Sequence, residues 1–379
     1  MVSRVYILGG GNIGSFIAHS LRSSPSRSPD VTFLLRGTTY RNFLKRYTVF
    51  LSDQTTDPPT HSVRQITEAL PSGSALLPLE IPSLVVATKT HQTKAAIATL
   101  QSRLTRDSTV VLLQNGITPP LEQLFPDTYT RPREIWAGVV THGINSDRKF
   151  SLRLAARGEI VLGPAVNRTL GEESEDRKKP WLVQTLEGIE GTRTLDSKDE
   201  LLKCQLEKLA ANAAINALAA VNGVKNGELL AMPEALETMK AAVREVAAVA
   251  RAMLGGDLVE GGDEALWRSV QRVVELTGEN RCSMLQDLQA GQKTEVRELN
   301  GWVVEKATEL GLDCRVNKEL VEKVKALERE KGIPEVEPEA HDDIYEHPRA
   351  RKRVLRKVFG HRKIEQNPVP AITRRVLAN

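Results

Sequence analysis

The first third of the chain alternates short apolar runs with helically spaced stretches. Arg4–Leu8 (RVYIL) is rich in strand-forming residues. Residues 13–21 then carry Ile13, Phe16, Ile17 and Leu21 at helical spacing. Further apolar runs occupy residues 31–35 (VTFLL), 83–88 (SLVVAT) and 109–113 (TVVLL), with a helical stretch over 91–104 between the last two. Strands alternating with helices predict a parallel sheet of the α/β class. Shorter runs at 135–143 and 158–163 predict more strands, and the polar segment 166–180 predicts an exposed loop. Near Leu195 the pattern changes. Residues 201–218, 229–253, 264–277 and 282–310 are rich in Ala, Leu, Glu and Lys with little strand patterning, which predicts an all-α domain. Past Lys331 the chain turns acidic and proline-containing, then strongly basic.

Composition alters this picture chiefly at one end. At about 150 residues per domain, 379 residues suit two or three domains. No apolar run approaches the ~20 residues that span a bilayer. The first strand-like run starts so early that no cleavable leader is expected. Cys204, Cys282 and Cys314 are far apart and form no CxxC pair, so neither a disulfide framework nor a metal site is expected. These features predict a reducing compartment, the cytoplasm, with the mitochondrion as the alternative. The net charge of +4 hides an asymmetry: residues 349–379 carry ten Lys/Arg and one acid, a local +9, leaving −5 on residues 1–348. A mildly acidic body gives no reason to expect nucleic-acid binding there, and the basicity belongs to a tail.

Between the first strand and the first helix lies GGGNIG, residues 9–14, a GxGxxG match in the strand–turn–helix context of a dinucleotide site. Gly9 permits the tight turn, Gly11 admits a pyrophosphate against the backbone, and Gly14 lets helix and strand approach. Gly10, Asn12 and Ile13 complete the cofactor-binding turn, whose helix N-terminus offers free N–H groups. The second strand runs into Arg36, where NAD-binding folds usually place an acid. A basic residue there accommodates a 2′-phosphate, so NADPH is the expected cofactor, with Arg41 available to share the role. Lys89 and the Asn115–Gly116 pair stand at carboxyl edges of later strands, where open α/β sheets take ligands. An Asn-Gly pair is also a common turn.

In LEKLAANAAINALAA, Lys208, Asn212 and Asn216 fall at i, i+4 and i+8 along one helical face. A solvated stripe would explain them, yet so apolar a helix must be mostly buried. Buried lysine and asparagine need partners, and a polar ligand is one candidate. A second cluster, ENRCSMLQD followed by QKTEVRELNG, offers Asn280, Ser283, Asp287, Glu295 and Asn300. On one straight helix Ser283 and Glu295 would lie about 120° apart and border a single cleft. Taken alone, these residues also fit caps and surface groups.

Together, GGGNIG, ATKTHQ, LLQNG, the Thr141–His142 pair, KLAANAAIN, NGEL and ENRCSMLQD with TEVRELNG resemble the ketopantoate reductase (2-dehydropantoate 2-reductase) family. The resemblance runs in this order from Val5 to about Lys331. It implies an NADP-binding Rossmann-type domain over 1–195 and a helical substrate domain over 196–331, with the active site between them. An acidic linker and basic tail, 332–379, would follow. It further implies hydride transfer from NADPH to the ketone of ketopantoate, giving pantoate for pantothenate and coenzyme A synthesis. By motif position Lys208 corresponds to the family's catalytic lysine, Glu295 to the acid that binds the substrate hydroxyl, and Ser283 to a contact with the carboxylate end. Asn115, Asn212 and Asn216 match asparagines of the substrate or cofactor pocket, and Lys89 matches a lysine near the cofactor. The chemistry agrees, because an ammonium beside a carbonyl oxygen stabilises the negative charge that develops there and can donate its proton.

There are departures. Leu206 stands where relatives often carry tryptophan. In CRVNKEL, with Arg315, the proline that commonly precedes the asparagine matching Asn317 is missing. These changes bear on substrate preference more than on reaction type. A small 2-oxo acid is the expected partner, and a homodimer is left open. The tail places Val354, Leu355, Val358 and Phe359 as a stripe on a basic helix, which suits the protein's own body, an anionic membrane surface or RNA phosphates. Two alternatives therefore stand beside this enzyme: a reductase-like fold reused as an RNA- or ribosome-associated organellar factor, and a reductase of another 2-oxo acid.

Overall fold

The computed structural model describes residues 3–23, 28–74, 76–166 and 178–335. The basic tail and most of the loop expected at 166–180 lie outside the described residues. The first six strands are β1 (Arg4–Leu8), β2 (Asp30–Leu35), β3 (Thr48–Asp53), β4 (Thr60–Gln65), β5 (Glu68–Pro71) and β6 (Ser83–Val86). The next six are β7 (Thr109–Leu112), β8 (Glu134–Val140), β9 (Gly143–Arg148), β10 (Ser151–Ala156), β11 (Ile160–Pro164) and β12 (Thr192–Thr194). Helices α1 (Asn12–Leu21), α2 (Gly37–Phe43), α3 (Thr90–Ala98), α4 (Leu121–Leu124) and α5 (Trp181–Glu187) intervene among them. The helical part comprises α6 (Lys198–Asn222), α7 (Pro233–Leu254), α8 (Gly262–Leu276), α9 (Ser283–Gln289), α10 (Trp302–Glu309) and α11 (Arg315–Glu330).

Eight strands form one sheet in the order β12-β11-β8-β7-β6-β1-β2-β5. Its pairs run parallel except β8 with β11. Parallel strands covered on both faces read as unbroken apolar runs, and β6 and β7 are buried at every position. Strand β1 sits between β2 and β6, so the chain's winding reverses there. The crevice beyond the carboxyl ends of β1 and β6 is the place where such a sheet takes a ligand.

A second, four-stranded sheet, β4-β3-β10-β9, was not anticipated from the sequence. Its strand β4 is THSVRQ, partly or wholly exposed throughout, so no apolar alternation announces it. It is secured instead by an aromatic cluster in which Phe43 packs edge-on against Phe33 (5.2 Å) and Phe150 (4.8 Å). His19 of α1 is buried beneath it, with Nε2 2.9 Å from the Ser62 hydroxyl. Burial, assisted by the nearby Arg64 charge, holds His19 down to about 4 against its usual 6.5. The unfolded chain therefore binds this proton first, and the stability His19 contributes above pH 6.5 is lost as pH falls toward 4. This is about 3 kcal/mol. His19→Gln should lose that much less between pH 7 and pH 4 in urea unfolding. Equal losses in the two proteins would place the acid sensitivity elsewhere.

Helix α6 starts with a capping box, in which Ser197 accepts from the Glu200 N–H and Glu200 reaches back to Ser197. Its Leu201 belongs to the core under the large sheet, whereas Leu206 onward packs with Met239, Val243 and Val246 of α7 and with Leu320 and Val324 of α11. One long helix thus leads from the sheet's core into a separate helical core. Two expected helices are interrupted. Residues 91–104 form α3, ending at Ala98, and then a 3₁₀ turn at Gln101–Arg103. Residues 282–310 form α9, an irregular stretch over 290–296, and a π turn at Arg297–Gly301 that continues into α10. Gly291, with φ 64°, stops α9 in the left-handed conformation. The angle of about 120° expected between Ser283 and Glu295 on a straight helix therefore does not apply.

Candidate active site

The parallel ladder brings the ends of β1, β6, β7 and β8 to one edge of the large sheet. After β1 comes the glycine turn. Gly9 has φ 110°, and a Cβ there would lie 2.7 Å from the Ala87 carbonyl oxygen. A Cβ at Gly14 would lie 2.2 Å from the Gly9 oxygen, and one at Gly10 would strike the Leu35 and Phe150 side chains. Gly11 differs, because nothing lies within 4 Å of a Cβ placed there. Asn12 and Ile13 open α1, with the Asn12 amide donating to the Ile144 carbonyl (3.1 Å). No side chain caps α1, and its first turn contains no acid. An open approach to uncapped N–H donors fits the phosphates of a dinucleotide. Arg36 follows β2 and is partly exposed, and among the described residues its guanidinium pairs with no carboxylate. Arg41 donates to the Thr38 hydroxyl (3.2 Å).

Opposite this edge, α6 packs across β8 and β11 and presents Lys208. Its ammonium donates to Asn115 Oδ1 (2.8 Å) and to the Val140 carbonyl oxygen (2.7 Å). Two of its three N–H donors are thereby used, and one is left for a ligand. Burial pulls Lys208 down to about 8 from the usual 10.5, against the opposing pull of Glu295. The Asn115 amide passes the interaction on, its Nδ2 donating to Glu295 Oε2 (3.0 Å). Glu295 Oε1 accepts from the Thr90 backbone N–H (2.9 Å) and hydroxyl (3.0 Å). Thr90 opens α3, which has no cap or acid of its own. Glu295, arriving from the helical part, thus places its negative charge at the positive end of α3.

Lys208, Asn115 and Glu295 are accordingly joined in one hydrogen-bonded line between the two parts of the molecule. Lys89 makes a second crossing, pairing with Asp287 of α9 (2.8 Å) and donating to the Lys293 carbonyl (3.1 Å). Burial pushes Asp287 up to about 6, with Lys89 opposing it. Asn212 and Asn216 continue the Lys208 face of α6. Asn216 is buried and Asn212 partly so, yet among the described residues neither side chain has a hydrogen-bond partner. Ser283, the first residue of α9, is exposed and stands outside this line. Asn300 and Asn317, by contrast, bond each other (2.9 Å) within the helical core, beside Glu245, and are structural. Sequence reasoning missed the Val140 carbonyl, because a backbone group has no residue signature, and Thr90, because its partner Glu295 lies 205 positions away. Among the described residues, no His, Cys, Asp and Glu side chains gather as a metal site.

Comparison with known proteins follows the same division of the chain. Residues 5–167 match the family model described as Ketopantoate reductase PanE/ApbA, and residues 200–328 match Ketopantoate reductase PanE/ApbA C terminal. A probable 2-dehydropantoate 2-reductase of Schizosaccharomyces pombe is 28% identical over 85% of this chain and 95% of its own length. A ketoisovalerate reductase of Beauveria bassiana is 26% identical over 87% of this chain and 85% of its own. The solved structure of D-mandelate dehydrogenase with NADH and anilino(oxo)acetate shares the fold, with a TM-score of 0.72 at 19% identity. That match covers 87% of this chain and 100% of the dehydrogenase.

Proposed function

The chain belongs to the ketopantoate reductase family and is an oxidoreductase, and from that premise we propose that it reduces 2-dehydropantoate to pantoate with NADPH. The observation that carries this reading is the line Lys208–Asn115–Glu295, which joins a group able to donate a proton to a carboxylate able to accept a hydroxyl. A nicotinamide dinucleotide bound on the glycine turn supplies the hydride. As negative charge grows on the ketone oxygen, the third N–H of Lys208 stabilises it and passes its proton across. Because the amide oxygen of Asn115 and the Val140 carbonyl fix the ammonium beforehand, little reorganisation accompanies that transfer. Glu295 accepts from the substrate hydroxyl. Asn212 and Asn216, whose amides have no hydrogen-bond partner among the described residues, orient the rest of the molecule. Arg36 holds the 2′-phosphate.

A second reading, reduction of a 2-oxo acid that lacks the hydroxyl, is favoured by the ketoisovalerate reductase relative. The deciding experiment follows cofactor oxidation with NADPH or NADH and with ketopantoate or ketoisovalerate. We expect turnover with NADPH and a clear preference for ketopantoate. A preference for ketoisovalerate would install the second reading. Arg36→Ala should raise the NADPH KM about 10- to 100-fold, the worth of a charged hydrogen bond, and leave the NADH value nearly unchanged. Equal use of NADPH and NADH by the parent protein would withdraw the 2′-phosphate role of Arg36.

A further inference from the structure

Glu295 enters the site from the irregular stretch 290–296, so helix geometry does not hold it in place. Its neighbour Thr294 donates both its backbone N–H (2.9 Å) and its hydroxyl (2.7 Å) to a single oxygen, Glu328 Oε1. The same hydroxyl accepts from the Val296 N–H (3.3 Å). Both flanks of Glu295 are thereby tied to one carboxylate, which comes from the last turn of α11. Glu328 is 6% exposed and Thr294 is 1% exposed. Among the described residues no Lys, Arg or His forms an ion pair with Glu328, so its burial rests on these two donors. A buried carboxylate without a cation has a large desolvation cost, and an apolar residue would fill that space more cheaply.

We propose that Glu328 is a positioning residue: it fixes the turn from Thr294 to Val296 so that the Glu295 carboxylate meets Thr90 and Asn115 across the cleft. The proposal rests on the reading in which Glu295 receives the substrate hydroxyl. Glu328 touches no reacting group, and its influence passes wholly through Glu295. Loosening it should weaken what Glu295 does, namely selecting a hydroxylated substrate and supporting the charge of Lys208.

The full-length chain is compared with Glu328→Gln, Glu328→Leu, Thr294→Val and Glu295→Ala, using NADPH with ketopantoate and with ketoisovalerate. Glutamine offers an oxygen to both donors and should behave like the parent within about twofold. Glu328→Leu should raise the ketopantoate KM about 10- to 100-fold, as expected when a contact is misplaced by roughly an ångström. At pH 6, well below the Lys208 limb, the ketoisovalerate constants should hardly move. The high-pH limb of kcat should shift to lower pH in Glu328→Leu, as in Glu295→Ala. Thr294→Val, which removes the hydroxyl but keeps the backbone donor, should show a smaller change in the same direction and serves if Glu328→Leu does not fold. Equal losses on both substrates, an unmoved pH limb, or a glutamine variant as damaged as leucine would each overturn the proposal. Should Glu295→Ala leave substrate preference unchanged, the hydroxyl reading falls by itself. Glu328 is then judged on the pH limb, where a shift parallel to that of Glu295→Ala sustains the proposal and a fixed limb removes it.

Discussion

Replacing Lys208 with alanine is expected to lower kcat about 10³-fold while leaving NADPH affinity within about threefold of the parent. A positioned general acid is worth 10²- to 10⁴-fold, and in the proposed reading the same ammonium would also face the developing oxyanion. Since Lys208 falls to about 8 through burial, its acid form is lost as pH rises through that value. The parent's kcat should therefore drop above pH 8 along a single ionisation, and this limb should vanish in the variant. Stability moves the opposite way. The lysine's folded value lies below its unfolded one, so the unfolded chain takes up the proton more readily, and burying the ammonium opposes folding at neutral pH. That opposition fades as pH rises from about 8 to 10.5. Lys208→Met, which keeps the stem without the charge, should unfold at a temperature no lower than the parent at pH 7. Steady-state rates and thermal unfolding on the same preparations check both halves. A kcat within tenfold of the parent would remove Lys208 from the chemistry.

The second large effect is expected at the glycine turn, where two substitutions of equal size should have different consequences. At Gly14 a methyl group would lie 2.2 Å from the Gly9 carbonyl oxygen, and neither atom belongs to a flexible side chain. Gly14→Ala must push α1 away from β1, at a cost of about 3 kcal/mol or more. Dinucleotide binding should disappear with the geometry. At Gly11 the added methyl meets nothing within 4 Å. Gly11→Ala should therefore unfold like the parent but bind NADPH at least about tenfold more weakly, because the methyl occupies space that the pyrophosphate requires. Thermal unfolding and fluorescence titration with NADPH separate the two cases. Native affinity in Gly11→Ala would move the pyrophosphate away from this turn.

Legibility in the sequence followed the physical origin of each feature. Six strands of the large sheet were legible because strands covered on both faces must be apolar throughout, as β6 and β7 are, whereas the short edge strands β5 and β12 carry no such run. The Lys208, Asn212 and Asn216 stripe was legible because one helix carries all three at fixed spacing. The small sheet was not, since β4 is polar and depends on aromatic contacts made by other segments. The break before Glu295 was hidden for a different reason: the residues on both sides of Gly291 still favour helix, and only its backbone conformation stops α9. Asn115 and Lys208 are 93 positions apart, and no local pattern announces that they meet. Their pairing, and that of Glu295 with Thr90, belongs to tertiary structure. The family resemblance pointed to Asn115, Lys208 and Glu295 as site residues, but not to Thr90 or Glu328.

One of the two contacts that hold the Lys208 ammonium is made by the main chain, through the Val140 carbonyl. Substituting residue 140 changes a side chain and leaves that oxygen in place. Asn115, the other contact, is made by a side chain and is lost when that residue is substituted. The Lys208 ammonium therefore keeps one anchor that a substitution at residue 140 leaves in place. In the proposed reading, side-chain changes around this anchor would alter which 2-oxo acid is accepted before they removed the group that donates the proton.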